Sequence, residues 1–210
     1  MTSSVCVIDD DAEVRGSIGS LMRSSGHDVR LYEGTAQFLE AGLPSNACCL
    51  VLDIRLSGEN GLEFQERLLE LGIAVPVILM TGHGDIPMTV RGMRAGAIDF
   101  LPKPFDDEQI LAAVERALAK DTERRAGEAD AGELQGKFES LTPRERDVLG
   151  LVVTGLMNKQ VAARLELSEI TVKIHRGNVM RKMAAQSLAD LVRMAELLGI
   201  RDATIRRYNT

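Results

Sequence analysis

A chain of 210 residues with 45% hydrophobic and 27% charged residues has the material for packed cores, which excludes a disordered polymer; its 3% aromatic content leaves those cores to aliphatic side chains. The length suits a domain of about 120 residues followed by one of about 70 better than a single compact unit. The formal charge of −6 is unevenly spread: residues 1–120 carry 18 acids against 10 bases, residues 121–139 carry 6 against 3, and residues 140–210 carry 7 against 12, so an acidic protein ends in a basic segment suited to a polyanion.

Residues 1–118 read as a β-α unit repeated five times. Strands are expected at Val5 to Asp9, Asp28 to Tyr32, Cys49 to Asp53, Val75 to Met80 and Asp99 to Leu101. Helices are expected at Ala12 to Ser25, Thr35 to Ala41, Gly61 to Leu71, Ile86 to Ala95 and Asp106 to Leu118. Right-handed crossovers then favour an α/β doubly wound five-stranded parallel sheet with helices on both faces. In the 2-1-3-4-5 order the switch point lies between the first and third strands, where Asp9, Asp10 and Asp53 emerge.

From residue 119 to 140 the apolar periodicity thins, glycines recur at Gly127, Gly132 and Gly136, and charges dominate, so a partly helical linker is expected. Residues 141–210 are expected to form a second, all-α domain of four helices, at 143–154, 158–165, 169–183 and 187–198. Its start is marked by Thr142-Pro143-Arg144-Glu145, in which Thr142 caps the amides, Pro143 suits the first turn and Glu145 reaches back to close a capping box. Asn158 to Leu165, a three-residue turn and the helix from Glu169 have helix-turn-helix proportions.

The polar residues that follow the apolar runs carry the chemistry. Asp9 to Asp11, Asp53, Thr81 and Lys103 each follow a strand candidate, so in a parallel sheet they gather at its C-terminal edge, where ligands of such sheets bind. Crowded carboxylates repel one another, and an oxygen-rich site of this kind suits Mg²⁺. Asp53 is the candidate nucleophile for phosphorus, Lys103 a fixed positive charge, and Thr81 a hydroxyl for a phosphoryl oxygen. Cys6, Cys48 and Cys49 lack the spacing of a metal or redox site and read as buried reduced thiols. No basic segment followed by a long apolar stretch opens the chain, and its apolar runs are too short to cross a bilayer, so a cytoplasmic protein with no membrane partner is expected.

Val7-Ile8-Asp9-Asp10-Asp11, Leu52-Asp53-Ile54-Arg55, Thr81-Gly82-His83-Gly84-Asp85 and Phe100-Leu101-Pro102-Lys103-Pro104-Phe105 together resemble a two-component receiver domain over about 120 residues. The resemblance implies that Asp53 accepts phosphate from a sensor histidine kinase and that Asp9 and Asp10 hold Mg²⁺ with Asp53 and the Arg55 carbonyl. It implies also that Thr81 and Phe100 form a switch pair, that Lys103 binds phosphate, and that Lys103-Pro104 is a cis bond. Asp11 is left as a bystander or as a group just outside the ligand set, and taken in isolation the Asp9 to Asp11 triplet reads as a loop or helix cap. The chain departs from the family at Ser57, where many members have proline.

In the second domain, Leu141 to Glu145, Asn158 to Ala162 and Thr171 to Arg176 resemble the LuxR-type DNA-binding domain, with Ser187 to Leu198 as its dimer-forming helix. The whole is similar to the FixJ and NarL class of response regulators, in its FixJ, StyR and TodT branch. That likeness implies a phosphorylation-dependent transcriptional regulator that forms a homodimer on promoter DNA, where RNA polymerase is a further partner. Lys173 and Ile174 are then candidate base contacts, and Lys159, Thr171, Arg176 and Arg181 candidate phosphate contacts. Gly177 has no side chain where relatives often place a contact. His175, Met180 and Met183 read as packing residues.

Two other functions are open to the same residues. Asp9-Asp10-Asp11 satisfies the Asp-x-Asp spacing of an aspartate-nucleophile phosphohydrolase, although Asp53 and the appended helices fit it poorly. A receiver with a non-DNA output domain is the second. The favoured reading has no enzyme activity beyond phosphorylation and dephosphorylation of Asp53 itself.

Overall fold

The computed structural model describes residues 2–82 and 86–200; the His83 to Asp85 part of the third receiver motif and residues 201–210 of the second domain lie outside the described residues. The chain divides into two compact units with the boundary between Arg125 and Ala126.

The first unit contains β1 (Ser4–Ile8), α1 (Ala12–Ser24), β2 (Asp28–Tyr32), α2 (Thr35–Ala41), β3 (Cys48–Asp53), a two-stranded ribbon of β4 (Arg55–Leu56) and β5 (Glu59–Asn60), α3 (Gly61–Glu70), β6 (Val77–Thr81), α4 (Ile86–Arg94), β7 (Asp99–Pro102) and the first part of α5 (Asp107–Glu139). The main sheet has the order β2-β1-β3-β6-β7 and every pairing in it is parallel. With the ribbon set aside this is the 2-1-3-4-5 order expected.

Strand periodicity explains why the runs are apolar throughout rather than alternating. Val5, Val7, Cys49, Val51, Ile78 and Met80 point to one face, where they pack with Ile18 and Met22 of α1 and Ile110 and Val114 of α5. Cys6, Ile8, Leu50, Leu52, Val77 and Leu79 point to the other, against Phe38 of α2 and Leu62 and Leu68 of α3. A parallel sheet covered on both faces has no solvated side, so both parities of each strand must be hydrophobic. The three cysteines are free and buried within this sheet, and burial pushes the Cys6 thiol up to about 12.

α5 differs from the expectation of a helix ending near residue 118 and a partly helical linker beyond. It runs unbroken to Glu139. Buried Asp121 belongs to the first unit, whereas Leu134 and Phe138 pack into the core of the second, and between them every residue from 126 to 133 is exposed. Gly127, Gly132 and Gly136 were read as breakers; they are tolerated because glycine in a helix costs only about 1 kcal/mol each, and packing to either side offsets this.

The second unit is helical: the end of α5, then α6 (Pro143–Val152), α7 (Asn158–Leu165), α8 (Glu169–Lys182) and α9 (Leu188–Leu197). The expected capping box is present, with Thr142 Oγ1 accepting from Glu145 N at 3.3 Å and Glu145 Oε2 accepting from Thr142 N at 2.9 Å. Val148, Leu149, Val152, Val161, Val172, Val179, Met183 and Leu191 form its core. Of the three residues read as packing, Met183 is fully buried, Met180 packs on the core's edge, and His175 is half-buried.

Candidate functional site

Asp9, Asp10 and Asp53 converge at the C-terminal edge of the sheet, with one oxygen from each lying within 4.8 Å of the others. β1 and β3 are adjacent and in register from Ser4↔Cys48 to Ile8↔Leu52, so the residues that follow them leave the sheet side by side. Asp9 is wholly buried; its Oδ1 accepts from Asp11 N at 2.9 Å and its Oδ2 from Lys103 Nζ at 2.8 Å. Asp53 is 7% exposed, and its Oδ2 accepts from Lys103 Nζ at 2.7 Å and its Oδ1 from Arg55 N at 3.2 Å. Lys103 reaches both because its own amide donates to Thr81 O at 2.6 Å, which fixes the chain leaving β7 beside the end of β6. The Lys103–Pro104 bond is cis.

Thr81 is fully buried at the end of β6, and Phe100 on the neighbouring β7 is half-buried against the core under α3 and α4. Gly92 of α4 makes room there: a Cβ on it would come 3.2 Å from Leu62 Cδ2 and 3.8 Å from Phe100 Cδ2. Arg55 opens β4, two residues beyond Asp53.

A helix cap within the Asp9 to Asp11 triplet and two features not read from the sequence stand at this edge. Asp11, left as a bystander, is the N-cap of α1 and accepts from Glu13 N and Val14 N, which holds its carboxyl below the usual range. The hydroxyl of Ser57, in the ribbon turn, donates to Asp10 Oδ2 at 2.6 Å, giving that carboxylate an anchor that proline cannot supply. Gly61, the first residue of α3, crosses directly over the backbone of Asp53 and Ile54. The Asn60-Gly61 pair, an N-cap followed by the residue of closest approach, was the available signal.

The electrostatics are those of an anionic pocket with one lysine. Burial pushes the Asp9 carboxyl above its ordinary value, and Lys103 only partly opposes this. Burial also acts to lower the Lys103 ammonium, but Asp53 and Asp9 outweigh it and raise the group above its ordinary value. A carboxyl raised on folding binds its proton more tightly in the native state, so ionised Asp9 costs stability at neutral pH and that cost disappears as pH falls through its native value. Asp9→Asn is therefore expected to raise the melting temperature by a few degrees at pH 7 in a chelator, with the gain fading toward pH of about 4. Calorimetry across that range checks it; an unchanged or lowered melting temperature at pH 7 contradicts the assignment.

On the second unit, α7 and α8 are joined by a turn in which Glu166 takes a left-handed conformation, φ 55°. Ser168 caps α8, accepting from Thr171 N at 3.1 Å, and its hydroxyl lies 2.8 Å from Thr171 Oγ1. Lys159, Lys173, Ile174 and Arg181 are exposed, whereas Arg176 is half-buried and donates to Asn158 Oδ1 at 3.1 Å, bracing α8 against α7. Among the described residues no helix is long and apolar enough to cross a membrane.

These two units have close parallels among known proteins. Residues 5–115 match the response regulator receiver domain, and residues 139–195 match the bacterial regulatory proteins of the luxR family. Nodulation protein W of Bradyrhizobium diazoefficiens is 53% identical over 93% of this chain and 86% of its own length. The transcriptional regulatory protein FixJ of Azorhizobium caulinodans is 46% identical over 95% of this chain and 94% of its own. The solved structure of the response regulator StyR is similar with a TM-score of 0.85 and 46% identity, covering 93% of this chain and 99% of that one. The chain belongs to the FixJ/NarL class of response regulators, in which a receiver domain is followed by a LuxR-type DNA-binding domain.

Proposed function

We propose that a sensor histidine kinase loads a phosphoryl group onto Asp53 and that this event controls promoter binding by the second domain. The observation that carries the reading is the placement of Asp53: a nearly buried carboxylate paired with Lys103 Nζ at 2.7 Å and grouped with two further aspartates. In the transfer, an Asp53 carboxylate oxygen forms the new bond to phosphorus while the P–N bond to the kinase imidazole breaks, its electron pair staying on the ring nitrogen. Lys103 is already in place to neutralise the charge that arrives, and Thr81 offers its hydroxyl to a phosphoryl oxygen.

The donor set around Asp53 consists of carboxylate oxygens, which suits a hard divalent cation. Asp9, Asp10 and Asp53 with the Arg55 carbonyl would hold Mg²⁺, which supplies positive charge against the crowded carboxylates and the phosphoryl oxygens. Asp9 and Asp10 thus serve as ligands rather than nucleophiles, and no turnover of a separate substrate is assigned.

Movement of Thr81 toward the phosphoryl group and of Phe100 inward would alter the surface of α4. That surface bears exposed Ile86, Val90 and Met93, an apolar face on which two phosphorylated receivers pair. Dimerisation brings two DNA-binding domains to one promoter, so two weak half-site contacts gain affinity through effective concentration. Lys173 and Ile174 would meet base edges, and Lys159, Thr171, Arg176 and Arg181 the backbone, with RNA polymerase a further partner at the promoter of a cytoplasmic regulator.

The test uses the full-length protein and its Asp53→Asn variant, incubated with Mg²⁺ and acetyl phosphate. The wild type is expected to gain the mass of one phosphoryl group on the peptide containing Asp53 and to footprint upstream DNA about tenfold more tightly than before treatment; the variant gains neither. Phosphorylation surviving in Asp53→Asn would move the chemistry to Asp9 and return the hydrolase. Phosphorylation without any footprint would leave the receiver with a non-DNA output.

A further inference from the structure

We infer that α8 reads thymine C5-methyl groups through Ile170 and Ile174, an exposed aliphatic pair one helical turn apart. This rests on the DNA-binding role of the second domain and names the base feature recognised there.

α8 buries Val172, Val179 and Met183 almost completely, yet leaves Ile170 74% and Ile174 60% exposed. At about 100° per residue, Ile170, Lys173, Ile174, Gly177 and Arg181 fall within one arc of about 100°, opposite the buried stripe. All five are exposed. The solvent face of the helix-turn-helix is therefore built around two branched aliphatics.

Helix propensity gives no reason for isoleucine at these positions, because β-branched residues are poorer helix formers than the long straight side chains that normally cover a solvated face. Leaving two of them in water, on the face opposite the buried stripe of the same helix, forgoes the burial that stabilises Val172 and Val179. A covering partner is needed, and its character is set by the neighbours. Lys173 lies between the two isoleucines, Lys159 is exposed on the adjacent helix, and residues 140–210 carry a net charge of +5, so the partner is anionic with apolar features on its surface.

In the major groove of DNA the thymine methyl is the one apolar group on a base edge. Hydrogen-bonding readers are scarce on this stripe. Lys173 and Arg181 are its two donors, and Arg181 already donates to Asn178 Oδ1 on its own helix at 3.1 Å, while Thr171, outside the stripe, is hydrogen-bonded to the N-cap Ser168. At Gly177 the space where a Cβ would stand is open, so the helix can lie close to a base step without a side chain intervening. The same pair would also disfavour RNA, whose uracil lacks the methyl and whose deep groove excludes a helix.

The experiment is uracil interference. Full-length protein treated with acetyl phosphate selects duplexes from a random pool, and the selected duplex is remade with partial replacement of thymine by uracil, which removes the methyl and preserves base pairing. Bound and free fractions are then cleaved at uracil. One or two positions per half-site are expected to be depleted from the bound fraction, each replacement weakening binding about fourfold, the factor for one methyl group removed from a packed contact. Ile170→Ala/Ile174→Ala is expected to bind thymine and uracil duplexes equally, while Ile170→Val/Ile174→Val keeps part of the difference; circular dichroism confirms that each is folded. If no duplex is selected, the DNA-binding reading fails and takes this inference with it. If duplexes are selected but no uracil position interferes, or if the alanine variant retains the full difference, the inference alone is overturned.

Discussion

Replacing Gly61 with alanine is expected to lower the stability of the receiver by about 3 kcal/mol and to abolish phosphorylation of Asp53, although neither atom of chemistry belongs to residue 61. A Cβ built there falls inside the contact distance of Asp53 O, 3.1 Å from Asp53 C and 2.9 Å from Ile54 Cα. All three are backbone atoms, so no rotamer change relieves the overlap. Gly61 N also donates to Ile54 O at 2.8 Å, and Asn60 Oδ1 accepts from Leu62 N at 2.9 Å, so the start of α3 is tied to the end of β3 and the displacement must pass into Asp53 itself. Once Asp53 shifts, its Oδ2 no longer meets Lys103 at 2.7 Å. Gly16→Ala is the control, because nothing lies within 4 Å of the added carbon and the change should stabilise α1 by up to about 1 kcal/mol. Urea denaturation and intact-mass measurement of both variants decide the matter; wild-type stability and normal phosphoryl uptake in Gly61→Ala would show that the helix start yields freely.

The contrast between Gly61 and Asp53 shows what kind of information a sequence carries openly. Asp53 was legible because its strand is apolar at both parities, which marks a sheet buried on both faces, and because a carboxylate directly after such a run must emerge at the ligand-binding edge. The same reasoning found Asp9, Thr81 and Lys103, and the helical period placed Met183 among the packing residues of α8. Gly61 could not be found that way: its importance comes from a close approach between two backbone segments, which no periodicity encodes. The ribbon Arg55–Leu56 with Glu59–Asn60 was missed for a related reason, since two-residue strands are too short to show alternation. The unbroken α5 was missed because local propensity, lowered by three glycines, was overridden by anchors that lie far away in the chain.

The strongest of those anchors gives the second large effect. Asp121→Ala is expected to destabilise the first unit by about 3 to 4 kcal/mol at pH 7, a cost typical of removing one partner from a buried charged network. Asp121 is fully buried, and its carboxylate accepts from Cys48 N at 2.8 Å, from Arg124 Nη2 at 2.6 Å and from Arg125 Nε at 2.6 Å. Arg125 in turn donates to Ser45 O at 2.9 Å and Pro44 O at 3.1 Å, so one carboxylate joins α5 to the chain entering β3. Burial alone would push the Asp121 carboxyl up, but the Cys48 amide and the two guanidinium groups hold it below the usual range. A carboxyl lowered on folding contributes stability above its unfolded value of about 3.9 and loses it as pH falls through the native value. The penalty of Asp121→Ala should therefore be full at neutral pH and shrink below about pH 4, as the unfolded carboxyl takes up a proton first and the folded one at lower pH. Asp121→Asn keeps an acceptor for Cys48 N while losing the charge, so it should fall between the two. Hydrogen exchange at the Cys48 amide reports the contact directly: fast exchange is expected in Asp121→Ala and intermediate exchange in Asp121→Asn, and protection equal to wild type in both would mean that α5 is held by its apolar face alone.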